Sequence, residues 1–385
     1  MADNALTSSL ITIAQEYQGD VIRQIPRRAI TVALVAPTFR EGFGPNIAWA
    51  PELGTSNSAL VETYSEGADA TNFGEDSQNA ATVSWSRYRA NWHVTGTAIA
   101  IGAASRTPAR NVELWANQYV NAIMALIKQL NIDIYTGSGG NALVGLATAI
   151  DNTATYAGIT RQGANPVVSG AYTVANGWSS YVYDSSTNPG AGANLDGSAK
   201  QALTFGQIRY DQAQIQIACG EKPDLALCNL TTLNWLRGLF DPNMFYMMGT
   251  ELAARVGVPV RGGPSAGNLG TNVMLDAGVG RLHFDGTWFV ADPDCPAGTI
   301  YYVNTGYWKF EGLEPVASLD IFPTDDEALS RNTLFDGFEE MPMSLVLQLL
   351  SVTGDSFKAM LKAYPQIAIT RPNSCGKRIN ITATG

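Results

Sequence analysis

Residues 107–140 read TPARNVELWANQYVNAIMALIKQLNIDIYTGSGG, and this stretch predicts a single helix of about 28 residues. Thr107 and Pro108 begin it, and a glycine-rich segment follows it. Apolar side chains recur at gaps of three and four, at Val112, Trp115, Tyr119, Ile123, Leu126, Leu130 and Ile134. That spacing places them along one face of about seven helical turns.

The predicted helix is long for a chain of this size. At 1.5 Å per residue it extends about 42 Å, whereas the usual helix has about a dozen residues. A compact monomer of 385 residues has a radius of gyration of only about 21 Å, so the helix would cross nearly the whole molecule. An elongated plate with a helical spine suits this better than a pocketed globule, and it makes assembly the first hypothesis.

The composition is that of a folded protein with few charges. Hydrophobic residues make up 45% and charged residues 15% of the chain, against about 25% charged in typical domains. A surface with so few charged residues is typical of β-rich proteins and of proteins whose surface is covered by partners. The net charge of −10 disfavours binding of nucleic acid through a broad basic face.

Charge is distributed unevenly towards the C-terminal end. Residues 311–340 contain nine acids, including Asp325, Asp326 and Glu327, and a single base. Residues 356–385 contain no acid and five bases, Lys358, Lys362, Arg371, Lys377 and Arg378. Either run could be an ordinary solvated surface. Alternatively, the two runs could set the register between copies of the chain.

The cysteines and the N-terminus favour a reduced, cytosolic environment. Four cysteines are scattered without a C-x-x-C motif, which is typical of structural thiols. The first 20 residues lack the basic and apolar regions of a secretory signal. Apolar runs stay shorter than 18 residues, so we expect no membrane-spanning segment.

The segment before the long helix resembles an arm followed by an extended ribbon. Residues 1–46 contain a short amphipathic piece and an apolar run at 30–35 that predicts a strand. In residues 47–105, strand-like arms at 58–64 and 82–101 flank a polar middle. The second arm alternates strictly, with Val83, Trp85, Arg87 and Arg89 on one face. A two-stranded ribbon is marginal alone, so this one needs a neighbour.

Residues after the long helix predict a mixed α/β region. Thr204 and Gln207 form a capping box before a helix to about residue 218, and a short buried strand at 224–229 leads into another helix. Residues 160–201 are rich in Gly, Asn, Ser and Tyr and predict surface loops with short strands. Further strands are predicted at 273–275, 287–291, 299–304, 307–311, 315–321, 344–352 and 366–370.

No catalytic, cofactor or metal site is predicted. The two histidines, His93 and His283, are isolated from other metal-ligating residues, and G-x-S-x-G and phosphate-loop motifs are absent from the sequence. The acid pair Asp292 and Asp294 lacks the spacing of a calcium loop and is better explained as a turn between strands. The sequence therefore predicts a structural protein rather than an enzyme.

Three motifs, in order, are similar to segments of tailed-phage major capsid proteins of the Hong Kong 97 type. They are GLATAIDNTATYAGI at 145–159, KPDLALCNLTTLNW at 222–235 and TWFVADPDCPAGTIYYVN at 287–304. The resemblance implies an α+β fold with an N-terminal arm (1–46), an extended β-hairpin loop (47–105) and a peripheral-domain spine helix (106–139). An axial α/β domain (140–312, with a loop-rich insertion at about 160–203) and C-terminal peripheral strands (313–385) complete it.

The resemblance also implies function and partners. The chain would form hexamers and pentamers of an icosahedral shell, assembled in the host bacterial cytoplasm around double-stranded DNA that it does not read by sequence. A separate scaffolding protein, a portal and a decoration protein are the expected partners. Residues 47–105 contain no lysine, so the covalent crosslink known in some such shells is not expected.

The predicted intersubunit contacts fall into two groups. Trp85, Arg87 and Arg89 lie on the ribbon, and tryptophan and arginine are favoured interface anchors. The charged runs add Asp325, Asp326, Glu327, Arg371, Lys377 and Arg378. Ordinary packing inside one subunit is the alternative role for each.

Three alternatives to the virion shell remain at this point. A bacterial nanocompartment shell of the same fold (an encapsulin) would enclose an enzyme instead of DNA. A β-rich enzyme with an unrecognised site and a surface adhesin are the others, and the absence of a recognisable signal disfavours the adhesin.

Overall fold

The computed structural model describes twelve segments of the chain. They are residues 29–35, 38–42, 44–51, 65–66, 79–97, 100, 109–166, 177–185, 203–240, 281–313, 346–350 and 356–381. The predictions for residues 1–28 and for strands at 58–64, 273–275 and 315–321 lie outside these residues.

Five α-helices are described, and one of them dominates. They are α1 Ile30–Val35, α2 Ala109–Thr136, α3 Leu146–Ala149, α4 Phe205–Cys219 and α5 Leu230–Phe240. Two short 3-10 turns, Thr305–Tyr307 and Pro372–Ser374, connect strands. None of the described helices has both the length and the apolar character needed to cross a membrane.

Fourteen described strands form four sheets. In chain order they are β1 Phe39–Gly42, β2 Asn46–Trp49, β3 Ala81–Ser84, β4 Tyr88–Thr95, β5 Tyr181–Asp184, β6 Leu225–Cys228, β7 Arg281–Phe284, β8 Thr287–Ala291, β9 Ile300–Val303, β10 Trp308–Leu313, β11 Val346–Leu350, β12 Ser356–Ala363, β13 Pro365–Ile369 and β14 Gly376–Ile379. Their spatial orders are β5-β14-β9-β6-β8-β7, β1-β10-β13, β11-β12-β4 and β2-β3. Helices and sheets together make a mixed α+β fold.

The long helix α2 confirms the prediction from residues 107–140. It runs for 28 residues, and the predicted apolar stripe is buried wherever its side chains are described. Leu130 and Ile134 are each 1% exposed. Tyr119 packs edge-on against Trp92 of β4, with ring centroids 5.6 Å apart. Helical periodicity is a local signal, and here the tertiary packing uses the same face that the spacing defines.

The prediction of a strand at 30–35 is wrong, because these residues form helix α1. Its β-branched residues favour a strand by propensity alone. In the fold, however, the backbone N–H of Thr31 donates to Asp292 (3.1 Å) and that of Val32 donates to Asn131 (3.1 Å). Two amides of the first helical turn thus find distant acceptors, which offsets the weak local preference.

The capping box before α4 is confirmed. The Thr204 hydroxyl accepts from the backbone N–H of Gln207 (3.3 Å), and the Gln207 side chain accepts from the Thr204 backbone N–H (3.0 Å). Gly220 ends the helix with φ of +82°, a conformation that glycine adopts without strain.

The six-stranded sheet is covered on both faces. Along β6, Leu225 and Leu227 pack into the core that contains α2, whereas Ala226 and Cys228 pack into the core under α4 and α5. All four side chains are fully buried, which explains the continuous apolar run that predicted this strand. The C-terminal strand β14 also lies in this sheet, between β5 and β9.

The predicted strand at 82–101 is divided into β3 and β4, which belong to different sheets. Between them the backbone N–H of Arg87 donates to the Asn141 carbonyl (2.8 Å) instead of to a neighbouring strand. The break reverses the alternation, so Trp85 is buried while Arg87 and Arg89 are exposed. The prediction that these three side chains share one face is therefore wrong.

Candidate functional site: assembly surfaces and the charged groups behind them

Trp85 is part of the interior of the chain. It is 8% exposed, packs with Ile47 and Ala368, and its indole N–H donates to the Gly44 carbonyl (2.9 Å). A Cβ added to Gly42 would lie 2.2 Å from the Trp85 ring, so the ring covers the glycine directly. The side chain therefore fastens the segment after β3 to the end of β1 and the start of β2.

Arg89 belongs to an exposed cationic surface that the structure assembles from distant parts of the chain. The register of β4 and β12 sets Lys362 opposite Arg89 and Lys358 opposite His93. On the other face of these strands Trp92 and Leu361 are buried. We call the surface formed by Arg89, His93, Lys358 and Lys362 the basic sheet face.

The basic sheet face has no acid within its own strands. The sequences of β4, β11 and β12 are YRANWHVT, VLQLL and SFKAMLKA, without a carboxylate. Like charges directly opposite each other destabilise a strand pair, so Arg89 against Lys362 is unfavourable by itself.

Arg371 lies at the wall of a cleft of about 660 Å³. Its guanidinium donates to the Tyr307 hydroxyl (3.0 Å) and to the Cys219 carbonyl at the end of α4 (2.7 Å). It also lies 3.7 Å from the Glu221 carboxylate. Half-buried and bonded on both sides, it ties α4 to the segment after β13.

The cleft itself offers little acid–base chemistry. Its lining includes Trp49, Pro51, Trp178 and Ile217, of which Ile217 is 46% exposed. The one thiol in the lining is that of Cys219, and burial raises its pKa, so it stays protonated and poorly nucleophilic at neutral pH. This is a surface hollow lined by apolar side chains and by polar ones, among them Arg371 and Asn373.

Lys377 is nearly buried and serves the fold. Its ammonium donates to the Ala147 carbonyl (3.0 Å) and lies 3.6 Å from the Asp151 carboxylate. Burial lowers the pKa of Lys377, and the carboxylate opposes this effect. The side chain is 11% exposed, which leaves little surface for a second subunit.

Arg378 is fully internal. It is 1% exposed and donates two hydrogen bonds to Asp211 of α4, at 2.6 and 2.7 Å. The hydroxyls of Tyr181 and Tyr302 donate to the same carboxylate, at 3.3 and 3.2 Å. Burial disfavours the guanidinium charge, but the Asp211 carboxylate outweighs burial and raises the pKa of Arg378.

The Arg378 ion pair joins the C-terminal strand to α4. Arg378 also lies over the Tyr183 ring, with its guanidinium carbon 3.9 Å from the centroid. Two tyrosine hydroxyls and a stacked ring thus surround one buried charge pair, and such additional contacts are what a buried pair needs to persist. Its role in the single chain is to hold β14 in the six-stranded sheet.

A second buried network joins α1 to the long helix α2. Asp292, fully buried, accepts from the Thr31 hydroxyl (2.5 Å) and from the Asn131 side-chain amide (3.0 Å). The Thr31 proton goes to Asp292, so the Tyr135 hydroxyl, 2.5 Å from Thr31, is the donor in that contact. Burial, followed by the Asp292 charge, raises the pKa of Tyr135.

The turn at 292–298 connects β8 to β9, as the sequence predicted, and its acids contact the long helix. Asp294 forms a salt bridge with Lys128 of α2 (2.5 Å) and accepts from Asn131 (2.6 Å). Within the described residues, no group of three or more His, Cys, Asp or Glu side chains could hold a metal ion. Both acids therefore bind protein groups.

The remaining predicted contact residues lie elsewhere. Arg87 is exposed beside the ribbon base, and it stays a predicted contact. Asp325, Asp326 and Glu327 lie outside the described residues. Sequence analysis missed Asp211, Lys358 and Lys362 as site residues, although the spacing of the two lysines four apart in 356–363 places them on one face of a strand.

The fold of this chain is similar to the folds of solved capsid proteins. No family model matches the chain, and no curated protein matches it. Solved structures do match, over nearly the whole length.

One match is a chain of the cyanophage A-1(L) capsid asymmetric unit, with 16% identity, coverage of 96% of each chain and a TM-score of 0.61. Another is from the capsid of the native GTA particle, with 10% identity, coverage of 96% of this chain and 95% of that one, and a TM-score of 0.55. The capsid of the empty GTA particle matches with 11% identity, coverage of 94% of this chain and 100% of that one, and a TM-score of 0.51. The chain has the fold of these capsid proteins, which confirms the resemblance at the level of the fold.

Proposed function

We propose that the chain is a structural, non-catalytic subunit that self-assembles into the icosahedral shell of a tailed phage. The observation that carries the proposal is the agreement in fold with a phage capsid chain across 96% of both chains. A core built on a 28-residue helix, with buried networks that join distant segments of the chain, supports the same role.

The finer arrangement of the Hong Kong 97 type is part of the proposal. An arm (1–46), an extended loop (47–105), a spine helix (106–139), an axial domain (140–312) and C-terminal peripheral strands (313–385) would form hexamers and pentamers. The β2–β3 pairing supports the loop, because Trp49 opposite Ala81 brings the two ends of the connecting residues side by side. Two of the C-terminal strands would lie beside strands of the proposed axial domain, because β13 pairs with β10, and β14 pairs with β5 and β9.

The proposed partners follow from a container role. Copies of the chain would enclose double-stranded DNA without sequence-specific contacts, in a virion formed in the host cytoplasm with a separate scaffolding protein, a portal and a decoration protein. The net charge of −10 supports this, because a wall that bound DNA strongly would hinder its packing.

Negative-stain microscopy and light scattering of the expressed chain test the proposal. We expect closed shells or rings of five and six copies, alone or with a candidate scaffolding protein. Compact monomers under every condition would overturn the proposal. Particles that enclose a protein cargo encoded beside the chain would replace the phage shell with the nanocompartment.

The extended loop has its own test. Replacement of residues 67–78 with a short Gly-Ser linker should leave the melting temperature of the subunit unchanged while preventing assembly. The matched control is an equal replacement at 189–200, in the loop-rich insertion. Loss of the folded subunit in the first variant would contradict the proposed division between body and loop.

A further inference from the structure

We propose that the basic sheet face is a self-association surface that binds the acidic run of a second copy of this chain, with Arg89 and Lys362 as its central contacts. This inference rests on the proposed function, because it supplies one contact of the shell. The basic sheet face is the charged docking surface, and the segment around Asp325, Asp326 and Glu327 of the second copy binds to it.

The first support is the geometry of the face. Arg89 and Lys362 are direct cross-strand partners, and Met360 opposite Asn91 separates them from the next basic pair. Arg89 is exposed and Lys362 partly so, while the reverse side of both strands is buried against the core. The side chains are therefore held in place by the sheet and directed away from the subunit body.

The second support is the local electrostatic cost. Two cations opposite each other in a strand pair repel, and β4, β11 and β12 contain no acid to offset this. In the sequence the nearest acid to Lys362 is Asp355, seven positions earlier. A carboxylate brought from outside the sheet would convert the repulsion into attraction.

The third support is the complementary run in the same chain. Residues 311–340 hold nine acids and one base, so each copy carries both halves of the contact. Of the five bases in 356–385, the structure commits Lys377 and Arg378 to Asp151 and Asp211. Lys362 of β12 lies on the outward face of that basic run, in cross-strand register with Arg89.

DNA phosphate is the competing partner, and the charges favour the protein. A few cations on a chain of net charge −10 form a weak phosphate surface, since phosphate binding scales with the number of neutralising contacts. A run of nine acids repeated in every copy of a shell is present at very high local concentration.

The test uses two charge-reversed full-length chains. The face variant carries Arg89→Glu and Lys362→Glu, and the segment variant carries Asp325→Lys, Asp326→Lys and Glu327→Lys. We expect each to melt like the wild type yet require at least about tenfold higher concentration to assemble, because like charges would meet at the contact.

Mixing decides whether the contact joins two copies. In an equimolar mixture, the acidic run of the face variant can bind the intact basic sheet face of the segment variant. The reversed, now basic, run of the segment variant can bind the reversed, now acidic, face of the face variant. Assembly should therefore return. A single chain with all five substitutions should also assemble. Rescue in the single chain without rescue in the mixture would mean that the contact is internal, and the inference would fail.

The control variant, Arg209→Glu with Arg237→Glu, changes the charge equally at exposed arginines of α4 and α5 and should assemble normally. Wild-type particles report on the proposed function separately. If the face variant forms particles as readily as the wild type, the inference fails and the proposed function stands. If those particles have lost packaged DNA, the face binds DNA phosphate instead. Should the face variant misfold, Arg89→Gln with Lys362→Gln must still lower the sensitivity of assembly to salt.

Discussion

Asp292 accepts hydrogen bonds from both the backbone N–H and the hydroxyl of Thr31, at 3.1 and 2.5 Å, across 261 positions of sequence. The contact fixes the first turn of α1 against the turn that follows β8. It thereby joins the end of the proposed arm to the body of the subunit, and the long helix contributes Asn131 to the same carboxylate.

Asp292→Asn should destabilise the subunit by about 1.5–3 kcal/mol, the usual contribution of hydrogen bonds to a charged group. An amide at this position would place a donor among Thr31 and Asn131, which are themselves donors. Urea denaturation of the unassembled chain measures the change. The control Asp285→Asn lies in an exposed turn at φ of +50°, which asparagine tolerates, and equal losses in the two variants would contradict the role of the network.

Arg378→Met should cost about 3–5 kcal/mol, because it leaves the Asp211 carboxylate buried without its counter-ion. Arg209→Met, on the same helix as Asp211 but exposed, is the matched control and should change stability by less than about 1 kcal/mol. Chemical denaturation of both variants makes the comparison. A small effect for Arg378→Met would show that the pair contributes little to the fold.

Gly42→Ala should destabilise the chain by about 1–3 kcal/mol, the usual range for overpacking. The added methyl group would overlap the Trp85 ring, which is buried and hydrogen-bonded and has little room to move. Gly238→Ala has open space in helix α5 and should instead stabilise by up to about 1 kcal/mol. Thermal melts in which both substitutions shift the melting temperature in the same direction would contradict this.

Stability should decline at alkaline pH because of the buried thiols. Burial raises the pKa of Cys228 and of Cys375 from 9.0 to about 12. Because the folded pKa exceeds the unfolded value, the stabilisation is complete below about pH 9 and is lost as pH rises towards 12. Urea midpoints between pH 7 and 11 measure this. A Cys228→Ala, Cys375→Ala chain should show a flatter decline, and an unchanged slope would assign the effect to other groups.

Local features of this chain were predictable from sequence because their physical causes are local. The stripe that includes Tyr119, Leu130 and Ile134 specifies α2 through the 3.6-residue period alone. The capping box joins Thr204 to Gln207, only three positions away, and four consecutive apolar residues predict the buried strand β6.

Only the tertiary structure decided the rest, since those features depend on groups far apart in the chain. α1 is helical because Asp292 and Asn131 accept its first amides, and propensity gave no sign of this. Trp85 and Arg378 were expected at subunit contacts, yet Gly44 and Asp211 bind them inside the chain. Sequence alone specified a long helix and two charged runs; strand register alone brought Arg89 opposite Lys362, because cross-strand neighbours are fixed by backbone pairing and not by sequence distance.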